Sequence, residues 1–397
     1  MAFVLAFFLA GLILIAGFLS DILFRRTNFP DILIMIFCGY LLGPLLKIID
    51  PESLEPVTPL LASLALLIIL FEGGLNLDLF KVLNEAPRAI VLGVSGMISS
   101  IIATYFFAYY FLRWDLLSSL LLGTIMGGTS SSIVIPMIRR ANVSEKVYTT
   151  LFLESVFTDA FVVVLGITLL QILKTPMVNE NMFSTAAVQI TGQFSTGIVI
   201  GAIVGVSWLR VLRSIRGKPY DDIMTLTIVL LFYSIVEFLG GNGAIFSLTF
   251  GLILGNGREI CRMLKIQEPI EATEIMKKFE YQISFLLRTF FFVNLGLIIS
   301  INDYMPFLYG LILTGLLLVG RYGAVAISSI KNPVLGSEKP LMAVMMPRGL
   351  AAAVMAQIVS TSGVENGMLY YNIVIAVIIM SVILTSLGFY LVARKRS

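Results

Sequence analysis

Long apolar runs, separated by short joints that contain Pro or Gly, recur along the whole 397-residue chain. Many of these runs reach roughly 20 residues, the length at which an α-helix crosses the hydrocarbon core of a bilayer. The pattern therefore predicts an all-α polytopic membrane protein. We assign thirteen transmembrane spans, at residues 2–24, 30–46, 57–80, 88–112, 115–138, 147–173, 186–209, 222–239, 243–256, 279–300, 304–330, 341–361 and 369–393.

Composition supports this class and removes several others. Hydrophobic residues make up 58% of the chain and charged residues 13%, whereas soluble proteins carry about 25% charged residues. The net charge of +3 indicates no nucleic-acid partner, and no GxxxxGK[ST] loop is present to bind a nucleotide. Because the chain contains no His, proton chemistry must fall to carboxylates. We expect no cofactor.

The distribution of basic residues sets the orientation. Loops after odd-numbered spans hold 21 Lys and Arg residues, and loops after even-numbered spans hold 3. The remaining three, Arg288, Arg321 and Arg348, fall inside spans. Basic loops accumulate on the cytoplasmic side of a membrane. The asymmetry therefore predicts that the N-terminus lies outside and the C-terminus lies in the cytoplasm, and it supports an odd number of spans.

Two pairs of similar segments indicate an internal repeat. Residues 71–77 resemble residues 291–297, and the interruption of span 5 at Gly127-Gly128 resembles the interruption of span 12 at 346–349. Spans 1–6 and 8–13 would then form two six-helix halves, and span 7 between them makes the second half inverted. Inverted repeats with broken helices are typical of secondary transporters, and the breaks mark the binding site.

Span 6 carries the strongest candidate chemistry, because ionisable side chains inside a bilayer are costly and usually functional. Ser155 and Asp159 are four residues apart and share one helix face, whereas Glu154 and Thr158 share another. A hydroxyl beside a carboxylate suits a dehydrated alkali cation, since hard cations prefer oxygen ligands. The break in span 5 would add backbone carbonyls and the hydroxyls of residues 129–132 to this oxygen shell.

The other ionisable residues have competing interpretations. Glu154 needs a cationic partner, for which Arg348 on span 12 is the candidate, and this pair is more readily structural than ion-binding. Asp159 has the alternative role of a structural hydrogen-bonding group. Glu72 on span 3 is either an ion ligand or a protonated structural carboxyl. Arg321 lies near a basic loop and is expected to reach the membrane interface or to pair close to it.

Four motifs follow one another along nearly the whole chain: Phe71-Glu72-Gly73-Gly74, Gly128-Thr129-Ser130, Glu154-Ser155-x-x-Thr158-Asp159, and Pro347-Arg348-Gly349 followed by small residues. Together they resemble the cation/proton antiporter superfamily, and specifically its NhaP-type sodium/proton antiporter branch. No single motif decides the resemblance, which depends on their order and spacing.

The resemblance implies a homodimer with two kinds of region. Residues 1–80 and 186–300, which hold spans 1–3 and 7–10, would form a scaffold. Residues 88–173 and 304–393, which hold spans 4–6 and 11–13, would form a mobile core in which the broken spans 5 and 12 cross.

The resemblance also implies a site. Asp159 would be the essential carrier of ion and proton, Na⁺ would bind at Asp159, Ser155 and Thr129, and Glu154 would pair with Arg348. The further residues of this cation and proton site would be Glu72, Thr158 and Ser130.

The chain departs from the family pattern at two positions. The family usually has Asn-Asp or Asp-Asp where this chain has Thr158-Asp159, and an Asp where it has Ser130. A neutral residue before the Asp, together with Arg348, is similar to the electroneutral members. The missing carboxylate at position 130 is similar to the potassium/proton branch, so the choice between Na⁺ and K⁺ stays open.

The function expected from the sequence is secondary antiport of Na⁺ or Li⁺ against H⁺, by competition at Asp159 and alternating access. A K⁺/H⁺ antiporter or K⁺ efflux protein is the alternative within the same class, and a channel is an alternative outside it. An intramembrane enzyme without His would need a Ser-Lys pair or paired aspartates. No Lys lies in the middle of a span, and Asp159 has no second mid-span Asp.

Overall fold

All regular structure in the described part of the chain is helical, as the sequence predicts. The computed structural model describes residues 2–27, 30–50, 57–140, 143–174, 182–215, 218, 220–265, 274–299 and 304–394. Within these ranges the α-helices are α1 Ala2–Thr27, α2 Asp31–Tyr40, α3 Thr58–Asn76, α4 Leu79–Phe107, α5 Leu116–Ile125, α6 Ser131–Arg140, α7 Glu145–Lys174, α8 Met182–Ile215, α9 Asp221–Phe238, α10 Gly243–Gly255, α11 Gly257–Met263, α12 Glu274–Ile298, α13 Met305–Ser328, α14 Pro333–Ser337, α15 Lys339–Val344, α16 Leu350–Thr361 and α17 Gly367–Arg394. Short π-helical turns, Leu41–Leu45 and Ala108–Leu112, extend α2 and α4.

Eight helices in the described ranges are long and apolar enough to cross a membrane: α1, α3, α4, α7, α8, α12, α13 and α17. Shorter apolar helices are α2 with its π-helical turn, α5, α10 and α16. Helix α9 has 18 residues but carries three acidic side chains, at Asp221, Asp222 and Glu237. These helices confirm a polytopic helical membrane protein, while the count of thirteen spans and the repeat stay predictions.

Spans 5 and 12 are interrupted where the sequence predicts. Helix α5 ends at Ile125 and α6 begins at Ser131, so Gly127 and Gly128 lie in the gap. The second interruption separates α15 from α16 and contains Pro347, Arg348 and Gly349. Proline removes a backbone donor and glycine adopts conformations that other residues avoid, so both breaks follow from local sequence.

The two interruptions contact each other through the main chain. The N–H of Ser130 donates to the carbonyl of Pro347 at 2.8 Å. A side chain at Gly349 would overlap the side chain of Ser130, so glycine permits this approach. The contact satisfies two backbone groups that a continuous helix would have paired internally.

The chain divides into two compact units. The first comprises Met1–Ser63, Pro87–Leu173 and Leu286–Ser397, and the second comprises Leu64–Ala86 and Lys174–Phe285. In the first unit α17 packs against α13 and α16, and α1 packs against α2. In the second unit α10 packs against α8 and α9. The predicted division into scaffold and core stays a prediction.

Glycines allow very close helix packing in the first unit. Gly296 of α12 lies directly against the main chain of Ile36 in α2, and Gly39 of α2 lies against the main chain of Val293. Any side chain at these positions would collide with backbone atoms. Small residues commonly hold membrane helices together in this way.

A similar glycine-mediated contact joins α3 and α10 in the second unit. Gly74 of α3 lies against the main chain of Leu248, and Gly251 of α10 lies against the main chain of Phe71. The predicted repeat relates span 2, which is α2, to span 9, which is α10. It likewise relates span 3, which is α3, to span 10, which is α12. Under that relation the contact of α12 with α2 becomes the contact of α3 with α10. The paired contacts are compatible with the predicted repeat, which stays a prediction.

We predict that Gly296→Ala destabilises the protein, because the new methyl group would lie 2.9 Å from main-chain atoms of α2. Overpacking of this kind costs about 1–3 kcal/mol, so the apparent melting temperature of the purified protein in detergent should fall. The matched control is Gly323→Ala in α13, where an added methyl group meets nothing within 4 Å. Equal melting temperatures for the two variants would contradict the predicted packing constraint.

Candidate functional site

The side chain of Asp159, on α7, lies against the N-terminus of α6, the helix that follows the break in span 5. Helix α7 places its side chain so that Oδ2 accepts two hydrogen bonds from Ser131, one from the backbone N–H at 3.1 Å and one from the hydroxyl at 2.7 Å. Asp159 is 8% exposed. The N-terminus of a helix favours negative charge, so α6 stabilises the carboxylate and the carboxylate caps α6.

Oδ2 accepts both hydrogen bonds that Asp159 makes in the described part of the chain, so Oδ1 accepts none. A carboxylate has about four lone-pair sites. Asp159 therefore keeps acceptor capacity for a further ligand. The sequence places the hydroxyls of residues 129–132 near Asp159, and Ser131 is the member of that stretch that contacts it.

The two remaining residues of the predicted Na⁺ site direct their hydroxyl donors elsewhere. Ser155 donates to the carbonyl of Phe152 in its own helix at 2.9 Å. Thr129 donates to Oε1 of Glu154 at 2.8 Å, and its backbone N–H donates to the hydroxyl of Thr158 at 3.1 Å. Thr129 and Thr158 thus belong with Glu154, in a network beside Asp159.

Glu154 pairs with Arg321, and the predicted pair with Arg348 is wrong. The Arg321 guanidinium makes a two-pronged contact, with Nη1 at 2.9 Å from Oε1 and Nη2 at 3.2 Å from Oε2. Its Nε donates to the carbonyl of Met342 at 3.1 Å. Both charged side chains are buried, at 3% and 2% exposure. The expectation that Arg321 reaches the membrane interface or pairs close to it is therefore corrected to a fully buried ion pair.

Arg348 is held by other groups. Its Nη2 donates to the hydroxyl of Ser100 at 3.1 Å, Nη1 donates to the carbonyl of Met346 at 3.4 Å, and its backbone N–H donates to Ser381. Its buried Nε has no hydrogen-bond partner among the residues that the structure describes. The guanidinium makes no hydrogen bond to Asp159, but each acts electrostatically on the other.

The last two predicted site residues are Ser130 and Glu72. The Ser130 hydroxyl shares a hydrogen bond with Ser132 at 3.0 Å. Glu72 lies on α3 within the second unit, where its backbone carbonyl accepts from the side chain of Asn76 at 2.9 Å. A ligating role for Glu72 therefore stays a proposal.

Sequence reasoning missed the contact of Arg321 with Glu154, and it placed Ser131 near Asp159 only as a member of the stretch 129–132. One signal for Arg321 was available, because a charged residue inside a span needs an opposite charge at the same depth. Two arginines competed for Glu154, and only the packing of α13 against α15 and α17 brings Arg321 to it. For Ser131 the signal was its place as the first residue of a helix, where a free backbone N–H attracts a carboxylate.

Comparison with known proteins places this arrangement in context. The family model described as sodium/hydrogen exchanger, transmembrane, matches residues 9–395. The K(+)/H(+) antiporter NhaP2 of Shewanella baltica is 26% identical over 397 residues, which cover 98% of this chain and 66% of that protein. The probable Na(+)/H(+) antiporter 2 of Methanocaldococcus jannaschii is 24% identical over 352 residues, covering 85% and 80%. This chain thus spans about two thirds of the length of the NhaP2 relative.

A solved structure has the same fold. The sodium proton antiporter MjNhaP1 from Methanocaldococcus jannaschii at pH 8 matches with a TM-score of 0.79 and 22% identity, covering 99% of this chain and 97% of that one.

We predict that breaking the buried ion pair destabilises the protein. Glu154→Gln and Arg321→Gln should each cost about 3–5 kcal/mol, because each leaves a buried charge unpaired. The double variant should lose less than the sum of the two. Thermal unfolding in detergent measures all three. Arg139→Gln is the control, since Arg139 is exposed and its Nε donates a hydrogen bond to Tyr148.

The double-mutant cycle also decides which arginine is the partner. Glu154→Gln should couple to Arg321→Gln and not to Arg348→Gln. Coupling to Arg348→Gln alone would show that the assigned pair is incorrect.

Proposed function

The chain belongs to the sodium/hydrogen exchanger family, and from that premise we propose that it is a secondary antiporter exchanging Na⁺ or Li⁺ for H⁺ across the membrane. The exchange is electroneutral and depends on competition between cation and proton at Asp159. One observation carries the proposal. Asp159 is a buried carboxylate that meets its structural partner, Ser131, through one oxygen and keeps the other for a ligand.

Competition follows from the chemistry of one carboxylate. A bound proton and a bound monovalent cation each neutralise a single negative charge, so loading one excludes the other. Moving an empty, ionised Asp159 through an apolar barrier would be costly. That cost couples the two fluxes, and one cation exchanges for one proton with no net movement of charge.

Neighbouring hydroxyls supply the further oxygen ligands. Ser155 and Thr129 each donate one hydrogen bond at present, yet a hydroxyl oxygen that donates retains lone pairs with which it can accept or ligate. We assign them to the cation site with Asp159. Thr158, Ser130 and Glu72 are proposed as supporting members of the same site.

Glu154 and Arg321 play a structural part in this scheme. Their charges neutralise each other within 2.9 Å, so neither needs a transported ion. The pair ties α7, which carries Asp159, to α13 at a depth where water cannot replace either partner. Asp159 is left as the carboxylate on α7 that exchanges its ligand.

The names of the relatives support two candidate ions. NhaP2 is named a K(+)/H(+) antiporter and the archaeal relative a probable Na(+)/H(+) antiporter. The neutral Ser130 favours the potassium alternative, because it replaces a carboxylate that is usual in the family. The sodium alternative is favoured by compact hydroxyl ligands around one carboxylate. The family consists of transporters, which disfavours the intramembrane enzyme.

The larger architecture proposed for this function follows the resemblance. A homodimer would join through a scaffold of residues 1–80 and 186–300, while a core of residues 88–173 and 304–393 moves to expose Asp159 alternately to each side. The N-terminus would lie outside and the C-terminus in the cytoplasm of a cell membrane.

We predict that Asp159→Asn abolishes cation-driven proton flux. Asparagine keeps an oxygen that can accept from Ser131, so the fold should persist while the exchangeable charge is lost. The measurement is proton flux in proteoliposomes under imposed gradients of Li⁺, Na⁺ and K⁺ in turn. The control is Glu145→Gln, which removes an exposed carboxylate from the same helix. Full flux in Asp159→Asn would refute competition at this residue.

The same vesicles test the ion and the charge balance. Flux with Na⁺ and Li⁺ but not K⁺ would select the sodium alternative, and the reverse would select potassium. An imposed membrane potential should leave the rate of exchange unchanged. A rate that follows the potential would show that the exchange is electrogenic.

We predict that Ser131→Ala moves the pH profile of exchange toward alkaline pH. The Ser131 hydroxyl stabilises ionised Asp159, so its removal favours the protonated carboxyl and more alkaline conditions are needed to free the site. Ser132→Ala is the matched control, because its hydroxyl contacts Ser130 and not Asp159. A Ser131→Ala profile that coincides with the control would contradict this role.

A further inference from the structure

The second unit contains a buried carboxyl group for which the exchange mechanism has no use. Glu280 lies in the first third of α12 and is 0% exposed. Within the described residues, neither of its carboxylate oxygens has a hydrogen-bond partner. Nearly all buried polar groups in proteins are hydrogen-bonded, so an unpartnered pair of oxygens calls for an explanation.

The charges around Glu280 make its ionised form still less favourable. The carboxylates that act on it electrostatically are Glu72 of α3 and Asp222 of α9, and both are negative. On its own helix Lys277 and Lys278 precede it by three and two positions, and neither donates a hydrogen bond to it. An ionised Glu280 would therefore be a buried charge beside two like charges, with no donor to stabilise it.

We propose that Glu280 is a second proton-binding site, separate from Asp159, whose bound proton keeps α3, α9 and α12 packed together. A proton satisfies the buried carboxyl because it removes the charge and adds no volume. A larger ligand fits less well, since within the described ranges no group of three or more His, Cys, Asp or Glu side chains is arranged to hold a metal ion. Loss of the proton would place three negative charges together on three helices.

The site gives the protein a response to pH that does not pass through Asp159. When the proton leaves Glu280, repulsion from Glu72 and Asp222 opposes the packing of the second unit. The proton release itself does not depend on the proposed antiport. An effect on exchange rate would rest on that proposed function, through the ligating role assigned to Glu72.

Infrared spectroscopy of the purified full chain tests the proton directly. A protonated carboxylic acid has a carbonyl-stretch band that an ionised carboxylate lacks. The spectra are recorded in an Asp159→Asn background, because a protonated Asp159 would give a similar band. We expect a band of a buried protonated acid at neutral pH, lost on alkaline titration and absent when Glu280→Gln is added. The control, Glu259→Gln, replaces a half-buried carboxylate of α11 and should keep the band. A band that persists unchanged in Glu280→Gln would overturn the proposal.

Thermal unfolding provides a second readout that requires no transport. The wild type should lose stability as the pH rises from the range in which a solvent-exposed Glu ionises up to the point at which the band disappears, and the loss should level off beyond that point. Glu280→Gln should lack that component because its amide cannot ionise. Asp222→Asn, near the start of α9, leaves the buried group intact and remains informative if Glu280→Gln does not fold. It should lose the band at a lower pH than the wild type, since one negative charge that opposes ionisation of Glu280 is gone. An Asp222→Asn titration identical to the wild type would overturn the proposal. If exchange is absent from the wild type, the proposed antiport fails while both readouts still decide the fate of Glu280.

Discussion

A helix that begins at membrane depth exposes backbone N–H groups that no water is present to satisfy, and the fold must supply their partners. In this protein the start of α6 obtains one from Asp159, which lies 28 positions further along the chain. The same contact gives the carboxylate two hydrogen bonds and the favourable end of a helix dipole. The Asp159 carboxylate thus serves both the fold and the chemistry of the site. The broken helix needs the carboxylate for its own completion, and the carboxylate needs the break in order to remain charged where charge is otherwise unfavourable.

The surroundings of Asp159 separate charges that belong to the fold from the charge that can change. Glu154 and Arg321 neutralise each other through a two-pronged contact and are locked further by Thr129 and Met342. The guanidinium of Arg348 donates to the hydroxyl of Ser100 and to the main-chain carbonyl of Met346, and its Nε has no hydrogen-bond partner in the described part of the chain. Because its hydrogen bonding is incomplete, the buried guanidinium of Arg348 can still interact electrostatically with neighbouring groups. The guanidinium of Arg321 is instead paired with Glu154.

Much of this arrangement was predictable from local sequence. Apolar runs gave the helices, Gly127-Gly128 and Pro347 to Gly349 gave the breaks, and the cost of a mid-span carboxylate singled out Asp159. The partner of Glu154 was not predictable, because helical periodicity specifies which residues share a face and not which neighbouring helix that face meets. The orientations of the Ser155 and Thr129 hydroxyls were equally impossible to predict from the sequence. A hydroxyl can satisfy its own helix or a neighbour, and only the packed structure decides between them.

The hydrogen bond from the Ser130 N–H to the Pro347 carbonyl has a consequence for how such a protein can change over time. It is made by the main chain of both partners, so it does not depend on which side chains stand at positions 130 and 347, provided that position 130 is not proline. The joint between the two interruptions therefore tolerates changes of side chain at positions 130 and 347, whereas position 349 must remain glycine to allow the approach. A substitution at position 130, beside the carboxylate, can therefore alter the charge of the site while the main-chain contact between the two breaks is kept.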